Sequence, residues 1–404
     1  MSRLSELIAE LCPNGVEYKK LGEVAEIQRG GNFQKKDFKE CGVPCIHYGQ
    51  IYTRFGIHAN KALTYIDSMV AAKQKFANPG DIVMAVTSEN IDDVCKCLAW
   101  LGDEKVAVSG HSAIIKHNQN AKYLAYYFHT SDFAEQKRKL AHGTKVIEVT
   151  PSSLANILIP LPPLEIQSEI VKILDNFAEL TAELTAELTA ELEKRKKQYE
   201  HYRDMLLNFT GGGRYDNISQ NEPCPSVEWK WLGEIAEIMR GKRLTKSDLS
   251  DDNPFPVFHG GLLPLGYYSQ SNRDKDTVMI INVGASAGTV GYCKEQFWAS
   301  DGCFCLSKND IALSKYLYYV LQSKELEIKG KVRVAGIPTL DSQAVASISI
   351  PLPSLTEQER IVAILDRFDS LCNSLTEGLP AEIALRKKQY EYYRDKLLDF
   401  EKAS

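Results

Sequence analysis

Residues 159–177 read Ile-Pro-Leu-Pro-Pro-Leu-Glu-Ile-Gln-Ser-Glu-Ile-Val-Lys-Ile-Leu-Asp-Asn-Phe, and residues 350–368 read Ile-Pro-Leu-Pro-Ser-Leu-Thr-Glu-Gln-Glu-Arg-Ile-Val-Ala-Ile-Leu-Asp-Arg-Phe. Each stretch changes its period in the middle. The prolines end an extended segment and forbid helix before them, and the following Ile-Val-x-Ile-Leu-x-x-Phe spaces apolar residues along one helical face. A strand therefore hands over to a helix twice, 191 residues apart.

Two more blocks recur in the same order. Upstream, Cys12-Pro13 leads to Leu21-Gly-Glu-Val-Ala-Glu-Ile-Gln-Arg-Gly30, and Cys224-Pro225 leads to Leu232-Gly-Glu-Ile-Ala-Glu-Ile-Met-Arg-Gly241. Downstream, Arg195-Lys-Lys-Gln-Tyr-Glu-His-Tyr-Arg-Asp204 matches Arg386-Lys-Lys-Gln-Tyr-Glu-Tyr-Tyr-Arg-Asp395, again at 191 residues. The upstream blocks lie 211 apart, so the first globular part is about 20 residues longer. The chain is a tandem duplication of a globular domain followed by a long helix.

Between the helical blocks the first copy repeats Thr-Ala-Glu-Leu, placing Leu180, Leu184, Leu188 and Leu192 four residues apart. The second copy keeps that spacing with Leu371, Leu375, Leu379 and Ile383. These stripes predict packing within an antiparallel helix pair, although a four-residue step drifts about 40° around a helix of 3.6 residues per turn. Gly378-Leu379-Pro380 predicts a break near 378–380, and Gly211-Gly212-Gly213 a linker. The predicted class is α+β, with two mixed α/β domains separated by two long antiparallel helices of approximate two-fold symmetry. The expected segments are 1–160 and 211–351 for the domains, and 161–210 and 352–404 for the helices. Inside the domains, Asp81-Ile-Val-Met-Ala-Val and Asp276-Thr-Val-Met-Ile-Ile read as matching strands, and Lys122–Phe128 and Lys315–Val320 as matching helices.

The chain has 404 residues, is 44% hydrophobic and 25% charged, and carries a net charge of −5. That profile suits two globular domains and announces no nucleic-acid partner through bulk charge. The acidity sits mainly on the helical segments, where Lys+Arg against Asp+Glu number 6 against 10 in 151–211 and 8 against 10 in 351–404. Ten scattered cysteines without a framework suggest reduced thiols in the cytoplasm, and the acidic amphipathic N-terminus reads as a helix rather than a signal peptide.

Catalytic signatures are missing. No phosphate-binding loop occurs, and Val283-Gly-Ala-Ser-Ala-Gly-Thr289 lacks the lysine. Asp252-Asn-Pro-Phe-Pro256 resembles the Asn-Pro-Pro-Phe motif of amino-methyltransferases but lacks its second proline, and reads as a turn. Cys95-x-Cys97 and Cys303-x-Cys305 have no ligand spacing for zinc, and His111 and His142 have no partner at an interpretable distance. No metal or catalytic residue is expected.

The Leu-Gly-Glu-[Val/Ile]-Ala-Glu-Ile-x-Arg-Gly openings, the Ile-Pro-Leu-Pro-x-Leu-x-x-Gln helix starts and the duplication together resemble the DNA-specificity subunit of type I restriction–modification systems. The Thr-Ala-Glu-Leu tandem resembles the IC subgroup. The resemblance covers essentially the whole chain. It implies two target-recognition domains, each reading half of a split asymmetric duplex site, and helices that space them and bind two modification subunits. It further implies no cofactor in this chain, with S-adenosylmethionine, ATP and Mg on the modification and restriction subunits. A self-contained methyltransferase or nuclease would need a cofactor motif, and a coiled-coil scaffold would show no duplex selectivity.

Candidate DNA contacts lie on the divergent loops, where glycine admits a close backbone and Arg or Lys reaches phosphates or guanine edges. The first domain offers Arg29, Gly30, Asn32, Lys35, Lys36 and Lys39, then Lys137, Arg138 and Lys145. The second offers Arg240, Lys242, Arg243 and Lys246, then Lys331 and Arg333.

Overall fold

A computed structural model describes residues 3–209, 227–373 and 378–403. Cys224, the linker glycines 211–213 and Leu375 lie outside the described residues. The chain forms two compact units, 1–186 with 384–404, and 187–383.

In the first unit the strand Tyr18–Lys20 pairs antiparallel with Leu158–Pro160, and in the second Glu228–Trp231 pairs with Ser349–Leu352. These pairings join the start of each domain to the strand that precedes its helix. The Leu-Gly-Glu motif turns the chain next: Glu23 accepts the amide of Lys20 at 3.1 Å, and Glu234 that of Trp231 at 2.8 Å. Both capped turns satisfy an otherwise orphaned donor.

Two five-stranded sheets build the first domain. One runs Ala25–Arg29, Ser112–His117, Ile82–Ala85, Cys97–Trp100, His58–Ala59; the other runs Phe38–Lys39, Thr64–Ile66, Val43–Ile46, Val106–Val108, Lys75–Ala77. The second domain has a four-stranded sheet, Ile238–Arg240, Cys303–Leu306, Thr277–Ile281, Val290–Cys293, and a three-stranded one, Gly266–Tyr268, Phe255–Phe258, Trp298–Ala299. The first domain's longer sequence therefore goes into additional short strands.

The matching central strands are offset by one residue from the alignment on their aspartates. Ala113 faces Arg29 and Met84, while Phe304 faces Arg240 and Ile280, so Met84 corresponds to Ile280 and not to Met279. Both strands are buried along their whole length. An apolar run with no alternation carries no face signal, so its register is invisible in composition.

The helices follow. Helix α1 spans Leu164–Leu207 without interruption, α2 spans Leu355–Asn373 and α3 spans Leu379–Leu398, with Pro380 in its first turn. Ile166, Ile170 and Leu174 of α1 are fully buried in the first domain's core, and Ile361 and Leu365 of α2 in the second's. The glutamine of each helix start is also buried. Gln167 accepts the Asn120 amide at 3.0 Å and donates to Pro162 O and Gln119 Oε1, both at 2.8 Å. Gln358 accepts the Leu313 amide at 3.0 Å and donates to Pro353 O and Ile311 O at 3.0 and 3.1 Å.

The leucine stripes do not form a closed core. Leu180 is 61% exposed and Leu371 38%; Leu184, Leu188, Leu192, Leu379 and Ile383 are half-buried. Three steps of about 40° carry the stripe through about 120°, which rotates its end away from any one partner. Leu180 and Leu184 line a groove with Gln389, Tyr390 and Tyr393, and aromatic contacts add to the packing. Phe177 meets Tyr393 within the first unit, and Tyr202 stacks on Phe368 within the second. Each unit thus holds one aromatic contact between a segment of the first helix and a segment of the second copy's helices.

Candidate nucleic-acid interface

The recurring Arg-Gly step ends the first strand of each domain's central sheet. A Cβ on Gly30 would lie 2.2 Å from Ser109 O, and one on Gly241 2.1 Å from Ser300 O, so only glycine fits. The chain is pinned there, and the preceding arginine is held from behind. Arg29 Nε donates to Gly110 O at 2.8 Å, and Arg240 Nε to Asp301 O at 3.3 Å. Both arginines are exposed.

A hairpin loop stands beside each arginine. His142 and Glu148 exchange backbone hydrogen bonds at 3.0 and 2.8 Å, and Arg333 and Thr339 do so at 2.8 and 3.1 Å. The two loops have equal length and are related by the same 191 residues as the helices. Glu148 lies 2.7 Å from the Arg29 guanidinium. In the second domain Arg240, Arg333, Asn282 and Thr339 line one cavity of about 360 Å³.

Further cations follow each Arg-Gly step along the chain. Lys35 and Lys36 ride the turn Lys35–Asp37, and Lys246 the matching turn Lys246–Asp248; Asp37 and Asp248 each accept the amide three residues earlier at 2.8 Å. The Thr245 hydroxyl first, and then the Thr245 amide, hold the Asp248 carboxyl below the usual range. Asn32, Lys39, Lys145, Lys242 and Arg243 are exposed, and Trp298 Nε1 fixes the Lys242 carbonyl at 2.7 Å.

Not every candidate belongs to this group. Lys137 is only 6% exposed, and its ammonium donates to Asp92 O and Val94 O, both at 2.7 Å. It is a structural cation that closes the loop before Cys95. Arg138 pairs with Asp92 at 2.7 Å on the surface. Lys331 lies 3.9 Å from Glu327, while Arg333 stays 76% exposed with Asp341 at 3.9 Å. Sequence reasoning passed over the hairpin aliphatics, although the 191-residue offset aligns them: Val146 is 56% exposed and Ile337 70%.

The motifs set aside have ordinary roles. Asp252–Pro256 is a turn entering the strand Phe255–Phe258, and Val283–Thr289 connects two paired strands. Burial pushes the Cys95 and Cys305 thiols up, to about 12 and about 11. His111 Nδ1 is hydrogen-bonded to Thr87 Oγ1 at 3.0 Å. Among the described residues no three His, Cys, Asp or Glu side chains are grouped to hold a metal, and no helix is long and apolar enough to cross a membrane.

Residues 13–194 and 226–385 each match the type I restriction modification DNA specificity domain. The chain belongs to the type I restriction–modification specificity family. Over 350 residues it is 32% identical to the specificity subunit of a type I restriction enzyme of Escherichia coli, covering 77% of this chain and 80% of that one. A putative type I specificity subunit of Haemophilus influenzae is 30% identical, with 95% and 96% covered. Among solved structures, a chain described under complex assembly and conformational transition of the type I R-M system superposes with a TM-score of 0.69 at 22% identity, covering 96% and 98%. The HsdS subunit from Thermoanaerobacter tengcongensis gives 0.55 at 21%, covering 96% and 97%; at these identities the likeness is one of fold. As a member of the family the chain is a DNA-binding, non-catalytic specificity subunit with two target-recognition domains.

Proposed function

We propose that the two recognition domains read the two halves of a split, asymmetric duplex site, and that the helices set the gap and carry two adenine-methyltransferase subunits. The observation that carries this reading is the duplicated arginine–hairpin arrangement, Arg29 beside 142–148 and Arg240 beside 333–339. Like frames suit like partners, while unlike loops suit unlike half-sites. The cations Lys35, Lys36 and Lys39 have only partial counterparts in Lys242, Arg243 and Lys246. Arg29 and Arg240 can reach a guanine edge or a phosphate, and the lysines neutralise backbone charge.

In this reading S-adenosylmethionine, ATP and Mg reside on modification and restriction subunits, and the assembly works in the cytoplasm. Assignment to the IC subgroup rests on the Thr-Ala-Glu-Leu tandem. Mapping methylated adenines across the genome of cells that carry this chain with its modification partner tests the proposal. A two-part asymmetric motif is expected. A continuous motif, or S-adenosylmethionine binding by the isolated chain, would overturn it.

A further inference from the structure

Each domain grips its helix through the same three side chains, and the grip lies where the helix leaves the domain. In the first unit Asp175 accepts from Lys122 Nζ at 2.7 Å and from the Tyr126 hydroxyl at 2.8 Å. In the second unit Asp366 accepts from the Tyr319 hydroxyl and has Lys315 Nζ at 3.4 Å. The aspartates are related by 191 residues and follow Leu174 and Leu365, both fully buried. Tyr126 and Tyr319 are themselves buried, at 2% and 0% exposure. The carboxylates hold both tyrosine protons in place, so both phenols are raised far above their ordinary value, by burial first and then by the aspartate. Aspartate is a poor helix former. Its recurrence at this point of both helices is explained by the contact it makes.

We infer that the Lys122–Tyr126–Asp175 and Lys315–Tyr319–Asp366 triads fix the angle at which each recognition domain meets its helix, and so set which gap between half-sites is accepted. The inference rests on the reading of the helices as spacers. From Asp175 to Leu192 a helix advances about 26 Å, so a tilt of about 8° at the triad displaces that end by about 3.4 Å, the rise of one base pair. The buried glutamines and core leucines attach the helix, and the triads add polar contacts that oppose its tilt. They are positioning residues, distinct from the arginine–hairpin residues.

Tyr126→Phe and Tyr319→Phe, singly and together, delete one hydroxyl each and keep the ring in the core. Lys122→Met with Lys315→Met provides a second set that preserves the tyrosine hydrogen bonds. The full chain with its modification subunits would be offered duplexes whose spacers differ by single base pairs around the preferred one. Both half-site sequences should stay unchanged, while preference for the best spacer over its neighbours falls by about fivefold in the double variants, the scale of one ordinary hydrogen bond. A stabilising role alone would lower affinity for every spacer equally and leave that ratio intact. If the unsubstituted chain selects a two-part site and the variants keep the parental ratio, this inference is overturned and the functional reading stands. If the unsubstituted chain selects no two-part site, both fall.

Discussion

Phe177 packs against Tyr393 with ring centroids 6.1 Å apart, and the residues 191 positions away repeat the contact with partners exchanged, Phe368 stacking on Tyr202 at 5.6 Å. The phenylalanine that ends the first helical block thus meets a tyrosine of the second copy's last block, and the reverse. Phe177 is 38% exposed, so much of its truncation is felt only at the ring pair. Phe177→Ala should cost about 1 kcal/mol, near the worth of an aromatic pair, and well below the 3–5 kcal/mol range of a buried Phe→Ala. Phe368 is more buried and packs on the second unit's core, so Phe368→Ala should cost more. Thermal unfolding of the two variants ranks them; equal costs would contradict the packing.

Val146 and Ile337 stand exposed on hairpins beside Arg29 and Arg240. An exposed aliphatic contributes little to folding, so Val146→Ser and Ile337→Ser should leave stability within about 0.5 kcal/mol. If the hairpins face the duplex, each variant should weaken binding to its own domain's half-site and spare the other. Fluorescence anisotropy on duplexes altered in one half reads this directly, and unchanged affinity in both variants would remove the loops from the interface.

Lys137 gives a prediction of the opposite kind. Its ammonium is the partner of two carbonyls, and burial lowers its pKa. Lys137→Met should destabilise the first domain by about 1–3 kcal/mol, the cost of buried acceptors left unmade, without changing the salt slope of DNA binding. Arg29→Ala should lower affinity and the salt slope, with a stability cost confined to the lost Glu148 ion pair. Urea titration and salt titration of the two variants separate these roles.

The contrast between Lys137 and Arg29 shows how far the sequence could be read. Arg29 and Gly30 recur as Arg240 and Gly241, because pinning the chain against Ser109 or Ser300 admits no side chain there. Gln167 and Gln358 recur because each closes three hydrogen bonds at a helix start. Lys137 had only composition to recommend it, and a cation's burial depends on carbonyls 43 to 45 residues away. The leucine tandem predicts helix but not how deeply each leucine is buried, because period four departs from 3.6 and the drift accumulates over several turns. The slip between Met84 and Ile280 was hidden because both strands are apolar on both faces.

His117 makes the first domain sensitive to acid. Its Nδ1 accepts the Gln119 amide at 3.1 Å, and its Nε2 is buried without a partner among the described residues. Burial lowers its pKa from 6.5 to about 4. The unfolded chain therefore binds the proton more readily between those values, so this stabilisation is complete above about pH 6.5 and is lost as pH falls toward 4. His129, lowered to about 4 by burial, acts in the same direction. The melting temperature should fall across that window, and His117→Asn should flatten the fall. A variant with the parental slope would assign the acid sensitivity elsewhere.

The Thr-Ala-Glu-Leu tandem allows the sharpest test of the spacer. Helix α1 is continuous through all of it, so removal of residues 185–188 leaves the frame of both flanking blocks uninterrupted. Four helical residues advance about 6 Å and turn the far end by about 40°. The advance is nearly two base pairs at about 3.4 Å each, whereas the rotation is near the roughly 35° twist of one. Rise and rotation thus favour different answers, and the deletion should shorten the accepted gap by one or two base pairs with both half-site sequences retained. Methylation mapping in cells carrying the deletion reads gap and half-sites together. A changed half-site with the original gap would show that the tandem does not measure distance along the duplex.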